Sequence, residues 1–239
     1  MYNLWFTAHG LNIIHEKGLI HRDFHCGNIL NNKNSEYFQS KITDLGLCKP
    51  ANTSQSNDKQ IYGVLPYLAP EVLKRKEYTQ ASDIYGFGII AYEVCTGLPP
   101  YHDISHDEFL AINICQGLRP KSNYKIPQLI LDIIQQCWDA DPSKRLKAKK
   151  LWGLFSNLHN KSDENNKDYY EEDSMINKQV KEADEINEKL PTLPSTGVLS
   201  YTTYTQAVYT SRLLNYKNLP EPKNADDGDN SSATEYSGS

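Results

Sequence analysis

Asp23 and Asn28 stand five residues apart in the run His21-Arg22-Asp23-Phe24-His25-Cys26-Gly27-Asn28, and a second carboxylate opens the triplet Asp44-Leu45-Gly46. A carboxylate can orient an attacking hydroxyl. Carboxylate and amide oxygens are also the hard ligands that Mg2+ prefers. Transfer of a phosphoryl group needs both kinds of group, held within a fraction of an ångström.

Such groups must be positioned by regular elements. Ahead of them, Leu4, Trp5, Ala8, Leu11 and Ile14 repeat with a helical period, and Gly18 stops the helix. Ile29 and Leu30, then Lys41, Ile42 and Thr43, form two short strand candidates around a polar loop. Residues 46–68 are poor in regular signals and predict a long loop, a kind usually functional or disordered. Helices then resume. An apolar one covers residues 82–96, and a second starts at Ser105, where Ser105 and Glu108 spell a capping box. A third puts Leu129, Ile130, Ile133, Ile134, Cys137 and Trp138 on one side, and a fourth does so with Leu151, Leu154, Phe155 and Leu158.

The eight residues from His21 to Asn28 resemble the catalytic loop of the protein kinases, and the match continues in order along the chain. Asp44-Leu45-Gly46 resembles the family's DFG, with Leu45 expected to pack as the Phe does. Ala69-Pro70-Glu71 resembles the APE that ends the activation segment. The run Ser82-Asp83-Ile84-Tyr85-Gly86-Phe87-Gly88 resembles the start of the following helix. "LPYLAPEVL", "GLPPY" and "CWDADPSKR" are similar to the tyrosine-kinase-like group, mostly Ser/Thr kinases. The resemblance covers roughly residues 1–158.

It implies a mainly α fold, the C-terminal lobe of a kinase with a short β hairpin at the catalytic loop. It implies Asp23 as catalytic base, with Asn28 and Asp44 as ligands of the Mg2+ that accompanies ATP. It implies that Asp83 holds the catalytic-loop backbone and that Arg145 pairs with Glu71. Arg22 would receive a phosphate from the activation segment, where Thr53, Ser54 and Ser56 are acceptors to consider. The implied activity is ATP-dependent phosphorylation of protein Ser/Thr.

The chain departs from the family at several positions. His25 takes the place of the Lys that touches the transferred phosphate in Ser/Thr kinases. Gly27 takes that of the Arg frequent in tyrosine kinases. Val64 replaces the Thr that contacts the catalytic Asp and Lys, and Leu146 replaces a Pro. The family's Gly-rich loop, strand Lys and helix Glu have no match upstream of the first helix. The expectation is therefore a truncated kinase domain whose N-terminal lobe is missing, inactive by itself. The competing reading is a pseudokinase-like module that binds a kinase or a substrate.

The net charge is −5, and residues 161–190 carry ten Asp/Glu against five Lys/Arg. This balance predicts no nucleic-acid partner. The longest apolar stretch, near residues 84–95, is too short to span a bilayer and contains Glu93, and the first residues, with no basic start and with interrupted apolar positions, do not read as a signal peptide. The five cysteines, an odd number without CxxC spacing, predict reduced thiols and a cytoplasmic protein. His102 and His106, near Asp103 and Asp107, read as a solvated helix start. His21 and His25 read as packing, and residues 144–150 as a basic helix face in water. Gly86-x-Gly88 lacks the preceding strand that a dinucleotide-binding turn needs. Residues 159–190 predict a charged tether or marginal helix, and residues 191–239 a disordered tail.

Overall fold

In a computed structural model, residues 2–32, 39–51, 60–162, 168–190 and 202–225 are described. Helix α1 (Tyr2–Glu16) buries Leu4, Ala8, Leu11 and Ile14, the helical stripe of the sequence. Gly18 ends it with φ 69°, a left-handed conformation that a side chain would resist. The chain then makes strand β1 (Leu19–Ile20), the catalytic-loop segment, and the hairpin of β2 (Ile29–Asn32) and β3 (Gln39–Ile42). In that hairpin Ile29 faces Ile42 in antiparallel register. Strand β4 (Lys49–Pro50) returns to pair with β1, and β5 (Ile61–Gly63) follows.

Helix α2 (Pro70–Leu73) leads to α3 (Gln80–Thr96), the centre of the molecule. Thr79 and Ser82 cap α3 reciprocally, and Gly97 closes it at φ 69°. Every residue from Ser82 to Tyr92 is buried, so this part of α3 is enclosed on all sides. Gly86 is required there, because a Cβ would lie 2.8 Å from the Phe24 carbonyl oxygen. The missing side chain lets the helix touch the loop that carries Phe24.

Helix α5 (Gln128–Cys137) packs on α3, α4 (Glu108–Cys115) on α2 and α6 (Ala148–Ser162) on α1, all sharing one apolar core. The N-cap of α4 is Asp107, whose Oδ1 accepts from Phe109 N at 2.9 Å and Leu110 N at 3.2 Å. The capping box expected from Ser105 is therefore not formed; Ser105 Oγ donates to Gln206 Oε1 instead. Helix α6 packs on α1, with Trp5 Nε1 donating to Ser156 Oγ at 2.9 Å. Helix α7 (Met175–Asn187) lies within the charged stretch. Ser174 caps it, and it turns Ile176 and Ala183 inward against α6.

Residues 202–225, inside the stretch expected to be disordered, follow a defined course. Strand β6 (Arg212–Leu214) pairs antiparallel with β5, Ile61 facing Leu214 and Gly63 facing Arg212. Composition averages over the tail, but Leu214 and Leu219 find apolar surface on the lobe and are buried there. The five cysteines are free. Among the described residues, no helix is long and apolar enough to cross a membrane.

Candidate active site

The loop from His21 to Asn28 is held by α3. Asp83 Oδ2 accepts from His21 N at 2.8 Å, and Oδ1 accepts from Arg22 N at 3.0 Å. His15 Nε2 lies 3.0 Å from the same carboxylate. These bonds hold Arg22 at φ 74°, a backbone conformation costing about 1–3 kcal/mol for a residue with a side chain. The strain turns the chain sharply, so that the next side chain, Asp23, faces the groove beside β5.

Asp23 is only 5% exposed. Its Oδ2 lies 3.7 Å from His25 Nε2, and it accepts the hydroxyl of Ser211 at 2.6 Å, with Oδ1 at 2.8 Å. Burial pushes the carboxyl pKa up. Hydrogen bonds from His25 and Ser211, with the nearby imidazole charge, outweigh burial and hold it below the ordinary aspartate value. The group is therefore a carboxylate at neutral pH.

His25 Nδ1 accepts from Gly27 N at 3.1 Å. In the neutral ring Nε2 then carries the proton and faces Ser211 Oγ at 3.3 Å. The ring packs against Tyr67, whose hydroxyl donates to Glu93. Burial comes first among the influences on Glu93 and raises its pKa, partly offset by hydrogen bonds from Cys26 and Tyr67. Burial beside Glu93 pushes the Cys26 thiol far up, so it is inert as a nucleophile.

Asn28 is buried, and its Nδ2 donates to the Asp23 carbonyl at 2.8 Å, which commits the donor side of the amide to the loop. The amide oxygen is the atom suited to a cation. Thr43, one residue before Asp44, donates its N–H to Asn28 O at 2.9 Å, and its carbonyl lies 3.1 Å from His21 Nε2. The β2–β3 hairpin thus brings Asn28 beside the start of the Asp44 segment. Asp44 takes φ 55°, is exposed and uses no side-chain oxygen to cap the turn that follows. One amide and one carboxylate oxygen from adjacent segments fit Mg2+, which keeps several waters and takes few protein ligands. Leu45, expected to pack, is 51% exposed, because the 3₁₀ turn Leu45–Leu47 carries it to the surface.

Glu71 and Arg145 form a bidentate pair at 2.7 Å for both contacts, with both side chains buried. Arg145 also donates to Asp139 O and Ala81 O, so the pair ties α2 to the start of α3. The Arg22 guanidinium lies over the Tyr78 ring at 4.6 Å, and its Nε has no hydrogen-bond partner among the described residues. Thr53, Ser54 and Ser56 lie outside the described residues. Val64 is buried among apolar neighbours at the mouth of β5.

Sequence reasoning missed two participants. Ser211 sits in the polar tail, where no spacing links it to Asp23. His106, expected in a solvated helix start, is 2% exposed. Its Nε2 lies 3.1 Å from Tyr101 O, and its Nδ1 meets Val208 in the tail at 3.0 Å. Arg212-Leu213-Leu214 has no polar–apolar alternation, so no local signal pointed to a strand there.

The family model for the protein kinase domain matches residues 3–153. The chain is 34% identical over 151 residues to a probable serine/threonine-protein kinase of Dictyostelium discoideum. It is 36% identical over 146 residues to the serine/threonine-protein kinase pakA of Talaromyces marneffei. It is 32% identical over 166 residues to a dual serine/threonine and tyrosine protein kinase of Pimephales promelas. These matches use 63%, 61% and 66% of this chain but only 16%, 22% and 18% of the relatives. The chain belongs to the protein kinase family, and its helical fold is that of the family's C-terminal lobe.

Proposed function

We propose that the protein transfers the γ-phosphoryl group of ATP to serine or threonine hydroxyls of proteins. The observation that carries this reading is the buried Asp23 carboxylate accepting a serine hydroxyl at 2.6 Å. That is the contact a base needs with its acceptor, within the distance at which a proton is handed over. Asp23 orients the hydroxyl and takes its proton. Asn28 and Asp44 would hold Mg2+, which when bound neutralises charge on the phosphate oxygens. His25, with Nε2–H directed at the acceptor oxygen, takes the role of the family's Lys as the donor beside the transferring group. Arg22, Asp83, Glu71 and Arg145 serve as scaffold and regulatory positions. The names of the relatives support protein Ser/Thr as the acceptor class.

The test uses the full-length protein with labelled ATP, Mg2+ and a serine-containing acceptor protein. Asp23→Asn is expected to lose nearly all transfer while nucleotide binding stays. Asp44→Asn is expected to lose transfer and weaken Mg-ATP binding as well. Wild-type turnover in either variant removes that residue from its role.

A second reading is favoured by the apolar burial of Val64, where the family has a polar Thr. In it the lobe is a binding module without turnover. A wild-type protein that binds Mg-ATP but transfers nothing is the outcome that selects it.

A further inference from the structure

The path of residues 202–225 raises the question of why a polar tail should lie where it does. Tyr204 N donates to His102 O at 2.7 Å, and His106 N donates to Gln206 O at 3.1 Å. Tyr209 donates its hydroxyl to Pro100 O, and its ring meets His106 edge-on. Ser211 then reaches Asp23, and β6 pairs with β5. Beyond it Lys74 bonds Glu221, and Lys223 N donates to Cys115 O at 2.9 Å. The segment is thus anchored on both sides of Ser211 by contacts that do not involve the catalytic loop.

The approach is built into the opposing strand. Gly63 has φ 149°, and a Cβ there would lie 2.9 Å from Leu68 Cδ2 and 3.5 Å from Asp23 Oδ1. Glycine therefore tolerates the backbone angle and the close approach to Leu68, and the strand passes within contact distance of the Asp23 carboxylate where Arg212 pairs. Tyr78 grips the other side of β5, its hydroxyl donating to Tyr62 O and accepting from Tyr62 N. One face of this short strand is fixed to the lobe, and the other is offered to an incoming extended chain. Strand addition of this kind recognises backbone, with side chains selected by position.

The geometry points to residues 204–224 as the chain's own acceptor segment: the tail fills the groove that an acceptor peptide would use and presents Ser211 for phosphorylation by Asp23. This rests on the phosphoryl-transfer reading above and names the acceptor. Ser211 Oγ attacks the γ-phosphorus of a nucleoside triphosphate. The Oγ–P bond forms as the bond from phosphorus to the bridging oxygen breaks, and the nucleoside diphosphate leaves with the bonding pair. The hydroxyl proton passes to Asp23 Oδ2 and then to water. The product carries about −1.5 to −2 charges next to a buried carboxylate. Repulsion and lost hydrogen bonds then expel the segment and open the groove to other acceptors. The unmodified tail is an occlusion that the enzyme's own chemistry removes.

The test has two arms on the full-length protein. In hydrogen exchange without nucleotide, the amides of Ile61, Gly63, Arg212 and Leu214, the residues whose N–H groups face across the β5–β6 ladder, are expected to be protected. Ser211→Asp, and independently Leu214→Asp on the buried side of β6, should speed that exchange by about tenfold or more. The core amides of α3 should be unchanged. In the second arm the protein is incubated with Mg-ATP and the phosphate is located by mass spectrometry. Phosphate on Ser211, absent in Asp23→Asn although β5 and β6 stay protected, is the expected result. Unprotected strands in the wild type, or unchanged exchange in both tail variants, overturn the proposal. Phosphate on an added acceptor protein but never on Ser211 overturns it too, while leaving the kinase reading standing. No transfer to any acceptor removes the kinase reading and with it Ser211 as a phosphorylation site, whatever the exchange arm shows of docking.

Discussion

At the scale of single residues, the site depends on charge kept paired away from water. Glu71 and Arg145 are both buried, and removing one partner of such a pair strands the other charge. Glu71→Ala is expected to cost about 3–5 kcal/mol. Thermal denaturation checks it; a variant that melts with the wild type rules out a structural role for the pair. Asp23 gives a pH prediction. Its pKa is lowered in the fold, so its ionised form contributes stability above the unfolded value of about 3.9. That contribution is lost as pH falls through the lower folded value. Asp23→Asn should therefore flatten the acid limb of a stability–pH curve below about pH 4. Ser211→Ala removes one of the bonds that lower this pKa, so the carboxyl should titrate higher, an effect visible by carbon NMR of the labelled aspartate. His25 is the third residue to probe. Losing one preorganised donor beside a transferring group costs on the order of 10²-fold in rate. His25→Ala in the full-length protein should show such a loss in kcat, and His25→Lys should recover most of it.

At the scale of elements, helix ends and close approaches decide how the loop is held. Asp107, and not Ser105, caps α4. Asp107→Ala is expected to cost about 1 kcal/mol, and Ser105→Ala to cost almost nothing in the helix. Urea denaturation of both variants distinguishes the two caps. The contact between α3 and the catalytic loop is tighter. At Gly86 a Cβ meets the Phe24 carbonyl at 2.8 Å and the Tyr67 carbonyl at 3.4 Å, both backbone atoms that cannot swing aside. Gly86→Ala should destabilise by about 1–3 kcal/mol through overpacking. It should also disturb the bonds from Asp83 to His21 and Arg22, which proton shifts of those two amides would report.

For the whole molecule, much of this organisation is written in local patterns. The apolar periods of α1, α5 and α6 and the Gly18 stop depend on neighbours three or four residues away, and a sequence displays such relations directly. The ordered series from Asp23 through Asn28, Asp44, Glu71 and Asp83 to Arg145 is likewise readable, because each functional type recurs at a spacing set by the element that carries it. The α4 cap was misread because Ser105 and Asp107 are both good caps, and the choice rests on where the tail draws Ser105 through Gln206. Leu45 was misread because an apolar letter does not reveal that a 3₁₀ turn carries it outward. His106 was taken for a solvated residue because its buried partner, Val208, lies far along the chain. The amino-acid sequence by itself determined the lobe and marked out the residues proposed to do its chemistry. Only the tertiary structure decided what lies against Asp23, since 188 residues separate it from Ser211 and no local pattern spans that distance.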